Sequence, residues 1–290
     1  MRRLLGPWVT NPAVGGPGFI GALDPYTNAL SAVWSSNNRL LTSFTGGNLL
    51  KARESIGNTE QFIPYLSNGA VDVSKEASFD GAGNLFESQL LGQVAANPNF
   101  AQSSASAQPQ IATSTGAVSF NGSSQNLIVP NDPAFQPGSG SLTIMVRIKS
   151  AGWSSSQCIA MFGGINYGTG TYTFFTRNTN KVSFELYDSG GGYHSIYELA
   201  PTLNAWTTLW GWLDVTNSLA GACLDGGADN NVAAAYTIGS MAGSSTIGCG
   251  YNAGATAYYW PGSISHVAFW KRKLSQTERA AINTAIAALP

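Results

Sequence analysis

The sequence predicts an all-β sandwich, on three observations. From residue 117 onward, short apolar runs recur at close intervals, most of them bounded by Gly, Asn, Ser or Pro. Many alternate: Leu142, Ile144, Val146 and Ile148 share one face of SLTIMVRIKS, and Val182, Phe184 and Leu186 share one face of KVSFELY. No helical pattern interrupts these runs before the C-terminal tail. Composition agrees with a folded β domain. The chain has 290 residues, 43% of them hydrophobic, with 34 glycines and only 10% charged residues. A disordered chain or a coiled coil would carry far more charge. The net charge of −1 offers no field for a polyanion, so nucleic acid is not an expected partner.

The elements follow in chain order. Residues 1–25 are rich in Pro and Gly, which disfavour regular structure, and read as an extended arm. Its apolar residues Trp8, Val9, Phe19 and Ile20 are candidate contacts to the chain's own domain or to a neighbouring subunit. Trp153, in AGWSSS, is a further partner-contact candidate from a loop. Between residues 26 and 45, Leu30, Val33, Trp34, Leu40, Leu41 and Phe44 recur at three- and four-residue spacings. That predicts a short N-terminal helix, broken at Gly46 and Gly47. NLLKARES alternates as a strand, and residues 57–110 are polar with short apolar pieces. Residues 101–116 are Ser- and Ala-rich, in the manner of a linker.

A dozen strand-like runs then follow: AVSFNG, NLIVP, SLTIMVRIKS, CIAMFGG, TYTFFTR, KVSFELY, YHSIYEL, WTTLWGWLDV, GACLDG, AAYTIGS, STIGCG and ISHVAFWKRKL. The tail LSQTERAAINTAIAAL predicts a closing helix. Ser275 is its N-cap, and Glu278 stands at capping-box spacing. The expected organisation is an arm over 1–25 and one domain over 26–290. Within that domain, 26–115 is an elaborated N-terminal part and 116–290 the core sandwich.

The first residues lack the apolar core of a signal peptide, and no run of about 18 apolar residues occurs. The expectation is a chain made in a cytoplasm, with no membrane partner. Cys158, Cys223 and Cys249 show no metal-ligand spacing. They read as buried thiols, or as one disulfide and a spare thiol. Asp225 and Asp229 are too few to cage calcium, so no metal and no cofactor is expected.

Five pieces, in order, resemble concanavalin A-like, laminin-G-like jelly rolls. AVSFNGSSQNLIVP is similar to the opening strand pair, and GSLTIMVRIKS to the next strand. WTTLWGWLDV, led by Trp206, is similar to a central strand, and GACLDG to a hairpin with an Asp225-Gly226 turn. GSISHVAFWKRKLSQTERAAI is similar to the last strand and its closing helix. Further upstream, TNALSAVWSSNNRLLTSFTGGNLLKARES and NGAVDVSKEASFDGAGN resemble the start of arabinofuranosidase-B-type catalytic domains. Together the resemblances imply a two-sheet jelly-roll sandwich with a short N-terminal helix, a C-terminal helix and an extended arm.

That family's chemistry needs a pair of carboxyl groups. Its early Tyr-Asp-Gln-Ser-Gly-Asn-Gly signature is absent where this chain reads LFESQLLGQVAAN. Its acid loop corresponds to STIGCGYNAGATAYYWPGSI, which holds no carboxylate. Its nucleophile strand corresponds to TYTFFTRNTN, which holds none either. Glu185, Asp188 and Glu198 read as surface or strand-edge acids, and His194 and His266 as structural. The expectation is therefore a chain without catalytic residues, not an enzyme.

Tyr251, Asn252, Tyr258, Tyr259 and Trp260 cluster at the position of the acid loop. Aromatic faces flanked by amides suit sugar binding, so they are glycan-binding candidates; the plainer reading is that Trp260 packs against the sandwich edge and the tyrosines cap it. Trp206, Trp210 and Trp212 share one strand face and read as core or intersheet packing. The composition and the arm resemble those of bacteriophage structural proteins. The leading functional expectation is a virion subunit, for capsid decoration or a tail appendage, contacting other virion proteins or copies of itself. A lectin-like carbohydrate-binding protein is the alternative, and an arabinofuranosidase-type hydrolase the third.

Overall fold

The computed structural model describes residues 19–289, apart from residues 82, 96, 113, 165–169, 179–180, 242 and 253. The expected contacts Trp8 and Val9, and most of the predicted arm, lie outside the described residues. Phe19 is half-buried and Ile20 exposed, while Leu23 is fully buried. The end of the predicted arm therefore packs on the domain.

Antiparallel ladders build two layers. The first runs in the order Asn230–Ala233, Leu219–Leu224, Trp206–Asp214, Leu142–Ser150, Pro261–Trp270. Both Leu30–Ser35 and Ala117–Asn121 then pair with the Pro261–Trp270 strand, each along a different stretch. The second layer runs from Tyr193–Leu199 through Lys181–Tyr187, Tyr172–Asn178, Gln157–Phe162 and Ser245–Ile247 to Leu127–Val129. It continues through Phe100–Ala101, Leu85–Leu90 and Asn48–Glu54 to Glu60–Pro64. The short strand Gln110–Ala112 pairs with both Leu85–Leu90 and Ala117–Asn121. The two layers are thereby joined into one hydrogen-bonded network of 18 strands.

Alternation decides which residues fill the space between the layers. Ile144, Val146 and Ile148 from the first layer meet Phe162, Tyr172, Phe174 and Phe184 from the second. Burying such side chains stabilises by about 1.5–3 kcal/mol each. Gly211 faces this core, where a Cβ would lie 2.5 Å from the Phe184 ring, so only hydrogen fits.

A second core lies on the outer side of the first layer. Met145, Trp210, Trp212, Ala268 and Trp270 are covered there by Leu274, Ile282 and Ile286 of the closing helix. Trp210 and Trp212 are thus buried outside the intersheet space, and Trp206, at the same strand's start, is only half-buried. The helix itself, Gln276–Ala287, carries the predicted capping box: Glu278 N–H donates to Ser275 Oγ, and Ser275 N–H to a Glu278 carboxylate oxygen.

The predicted N-terminal helix does not form; Leu30–Ser35 is a strand instead. Val33 faces the outer core and Trp34 the inner one. A strand buried on both faces has consecutive apolar residues, which mimic helical spacing. A helix that the sequence reading omits spans Val73–Asp80. The run AAYTIGS is not a strand; Asn230–Ala233, just before it, is. Among the described residues no helix is long and apolar enough to cross a membrane.

Candidate functional site

The glycan-binding candidates sit on and beside a hairpin of Gly250–Asn252 with Ala255–Ala257. This hairpin lies on the outer side of the second layer. Tyr251 and Tyr258 pack there against Cys158, Met161 and Phe175. The Tyr258 and Phe175 rings meet edge-on, 5.4 Å between centroids. Cys158 N–H donates to the Tyr258 carbonyl at 2.7 Å. Tyr258 has φ of 55°, left-handed backbone that costs a non-glycine residue roughly 1–2 kcal/mol. The hydrogen bond and the ring contact hold it there. Tyr259 Oη and Thr256 Oγ1 are 2.7 Å apart.

Four of the five candidates therefore come together at an accessible place. Tyr251, Tyr258 and Tyr259 are half-buried, and Asn252 is exposed. Burial raises the Tyr251 phenol above its ordinary value, so its hydroxyl is neutral at physiological pH. Anchored rings with free edges, beside an exposed amide, can stack on a sugar and hydrogen-bond its hydroxyls. Trp260 is the correction. It is fully buried in the intersheet core and offers a ligand no face.

Of the partner-contact candidates, Ile20 is 78% exposed, whereas the Phe19 ring lies 4.6 Å from the Arg39 guanidinium. Trp153 is half-buried against the main core, so it is not a free loop residue. The three cysteines are free and buried. Asp229, weighed above for calcium, is instead held by Arg279 and Lys273.

Of the three acids read as surface or strand-edge, only Glu185 departs from that reading. Glu198 pairs with Lys181 at 2.8 Å near the surface. Asp188 accepts from Gly190 and Gly192 N–H and lies 2.8 Å from His194 Nε2, and the His194 contact foremost holds its carboxyl below the usual range. Glu185, however, is fully buried, near enough to Cys158 to influence that thiol. A buried acid thus lies close to the hairpin. Two more, Glu76 and Glu87, are fully buried without a hydrogen-bond partner. Burial pushes Glu76 up to about 8, and Glu87 well above the carboxylate range.

Residues 121–278 match the family model described as the concanavalin A-like lectin/glucanases superfamily. No curated protein matches the sequence. Among solved structures, the chain resembles an arabinofuranosidase complexed with arabinofuranosyl-α-1,2-xylobiose, with TM-score 0.74 at 12% identity over 93% of this chain and 65% of that one. It also resembles a GH54 α-l-arabinofuranosidase soaked with a cyclic sulfate inhibitor, with TM-score 0.68 at 10% identity over 92% of this chain and 64% of that one. The chain therefore spans just under two thirds of these relatives. A sialidase CBM40 from Ruminococcus gnavus, bound to α2,3-sialyllactose, matches at TM-score 0.45 and 18% identity over 54% of this chain and 92% of that one. Identities this low show a shared fold. They nevertheless correct the expectation of a non-enzyme. The frame covering nearly the whole chain also carries arabinofuranosidases, so a missing motif does not exclude hydrolysis.

Proposed function

The chain belongs to the concanavalin A-like lectin/glucanase superfamily, and from that premise we propose that it binds carbohydrate across the hairpin bearing Tyr251, Asn252, Tyr258 and Tyr259. One observation carries the reading: three half-buried tyrosines and an exposed amide lie within one short stretch, with Tyr251 and Tyr258 packed on the outer face of the second layer. Tyr258 supplies a fixed edge, because its left-handed backbone is pinned by Cys158. Tyr251 and Tyr259 supply ring faces with hydroxyl groups at their tips.

Immobilised glycans test this directly. The wild-type chain retains a subset of neutral glycans, and Tyr251→Ala and Tyr259→Ala each weaken retention about tenfold, the loss of ~1.4 kcal/mol expected for one stacked ring. A folded wild-type chain that retains none overturns the proposal. Incubation with an aryl arabinofuranoside separates binding from hydrolysis on this frame. Sugar release that disappears in Glu185→Gln would make the hairpin part of an active site.

A finer reading is a virion subunit that uses the jelly roll for attachment. It rests on composition and on the Pro/Gly-rich start, and one feature of the fold favours it. Where that start meets the domain, Ile20 is exposed beside Phe19 and Leu289, around a shallow recess that also includes Ser67 and Asn68. Constant stoichiometry with a particle band on a density gradient supports it; a chain found only in the soluble fraction contradicts it.

A further inference from the structure

A separate cavity of about 310 Å³ opens on the outer side of the first layer, the layer opposite the hairpin. Its floor follows from strand register. His266, Arg147 and Thr208 lie abreast on three adjacent strands, each the cross-strand partner of the next. Trp206 stands two residues before Thr208, on the same face. The walls come from Asn37, Asn38, Ser114 and Thr115 on one side and from the end of the closing helix on the other.

The polar groups here are under-used. Arg147 reaches Thr208 Oγ1 at 3.3 Å and makes no ion pair among the described residues. Thr208 is itself committed, donating to Asn283 Oδ1 at 2.6 Å and accepting nothing closer from Arg147. The nearest acid, Asp225, is turned to the Thr208 backbone N–H at 2.8 Å. Among the described residues no carboxylate lines the cavity. His266 is 2% exposed, and its Nε2 has no partner. Its Nδ1 lies 2.7 Å from Ser265 Oγ. Burial, with Arg147 adding to it, pushes the imidazole down to about 3, so the ring is neutral. When Ser265 donates to Nδ1, Nε2 carries the N–H and becomes a donor beside the guanidinium. Leaving such a group buried and unpaired costs about 1–3 kcal/mol, which a bound acceptor recovers.

We propose that this cavity binds a sugar that carries a carboxylate, of the hexuronic acid class. Arg147 takes the carboxylate, helped by the His266 N–H. Trp206, whose ring centroid lies 5.9 Å from the Arg147 guanidinium, borders the C–H side of the sugar ring. Asn37 and Ser114 offer hydrogen bonds to its hydroxyls. A neutral sugar would leave Arg147 and His266 unanswered, and a bare anion would leave Trp206 and Asn37 unused. The volume falls at the small end of ligand pockets, which suits one sugar ring.

Calorimetric titration of the full chain with d-glucuronate, d-glucose and acetate tests the proposal. Glucuronate is expected to bind at least about tenfold more tightly than glucose or acetate. Arg147→Gln removes the advantage over glucose, and Trp206→Ala weakens glucuronate with the fold retained by circular dichroism. Tyr251→Ala leaves glucuronate binding unchanged, which separates this cavity from the hairpin. Absence of saturable glucuronate binding overturns the proposal. So does glucose or acetate binding as tightly as glucuronate, or an unchanged affinity in Arg147→Gln.

Discussion

At the scale of single residues, Trp260 and Tyr251 make the sharpest contrast. They are nine positions apart in one aromatic-rich stretch, yet one is core and the other surface. Trp260→Ala is expected to cost about 3–5 kcal/mol in urea unfolding, because it empties the intersheet core. Tyr251→Ala is expected to cost less in unfolding, about 1 kcal/mol, and to weaken glycan retention. Nothing in the aromatic character of the stretch distinguishes them. The difference arises because the chain leaves the hairpin after Tyr259 and enters the long strand Pro261–Trp270, which carries Trp260 between the layers. Gly211 makes the complementary point: Gly211→Ala would drive a methyl into Phe184, and a loss of about 1–3 kcal/mol is expected. The cavity residues Arg147 and His266 were hidden for another reason. They are far apart in sequence and meet only through the register of their strands.

At the scale of elements, legibility tracked what each element buries. The closing helix was readable because its cap and its Ile face are both written locally. Ser275→Ala is expected to lower stability by about 1 kcal/mol, measured by the thermal midpoint. The Val73–Asp80 helix was not readable, because the one residue it fully buries is Glu76. A glutamate at the contact position gives no apolar periodicity, although Asp72 does cap the helix by accepting from Lys75 N–H at 3.0 Å. The strand Leu30–Ser35 misled in the opposite way, with apolar residues on both faces. Alternating strands with one face in the main core, such as Leu142–Ser150, were read almost to the residue.

At the scale of the whole molecule, the jelly roll was legible from strand spacing and turn residues, while the joining of its two layers through Gln110–Ala112 was not. That strand has three residues and lies within the Ser- and Ala-rich stretch. The buried titratable groups also set a global pH dependence. Glu76 is raised to about 8 and Glu87 well above the carboxylate range, so both are protonated in the fold and ionised in the unfolded chain at neutral pH. Their stabilising contribution is complete below about pH 4.5 and is lost as pH rises through 8. His266, lowered to about 3, acts in the other direction: its contribution is complete above about pH 6.5 and is lost as pH falls toward 3. Of these three groups, only the glutamates change between pH 6.5 and 8. The thermal midpoint is expected to fall across that window, and Glu87→Gln to flatten the fall. A midpoint that rises there in the wild type would contradict the buried, protonated pair.

The central claim is that carbohydrate binds at the tyrosine hairpin. Amide hydrogen exchange, measured with and without a neutral glycan retained on the immobilised set, addresses it most directly. Slowed exchange is expected over residues 250–259 and in the underlying strand Gln157–Phe162, with little change around Arg147. Unchanged exchange in the hairpin, with protection appearing elsewhere on the sandwich, would contradict it.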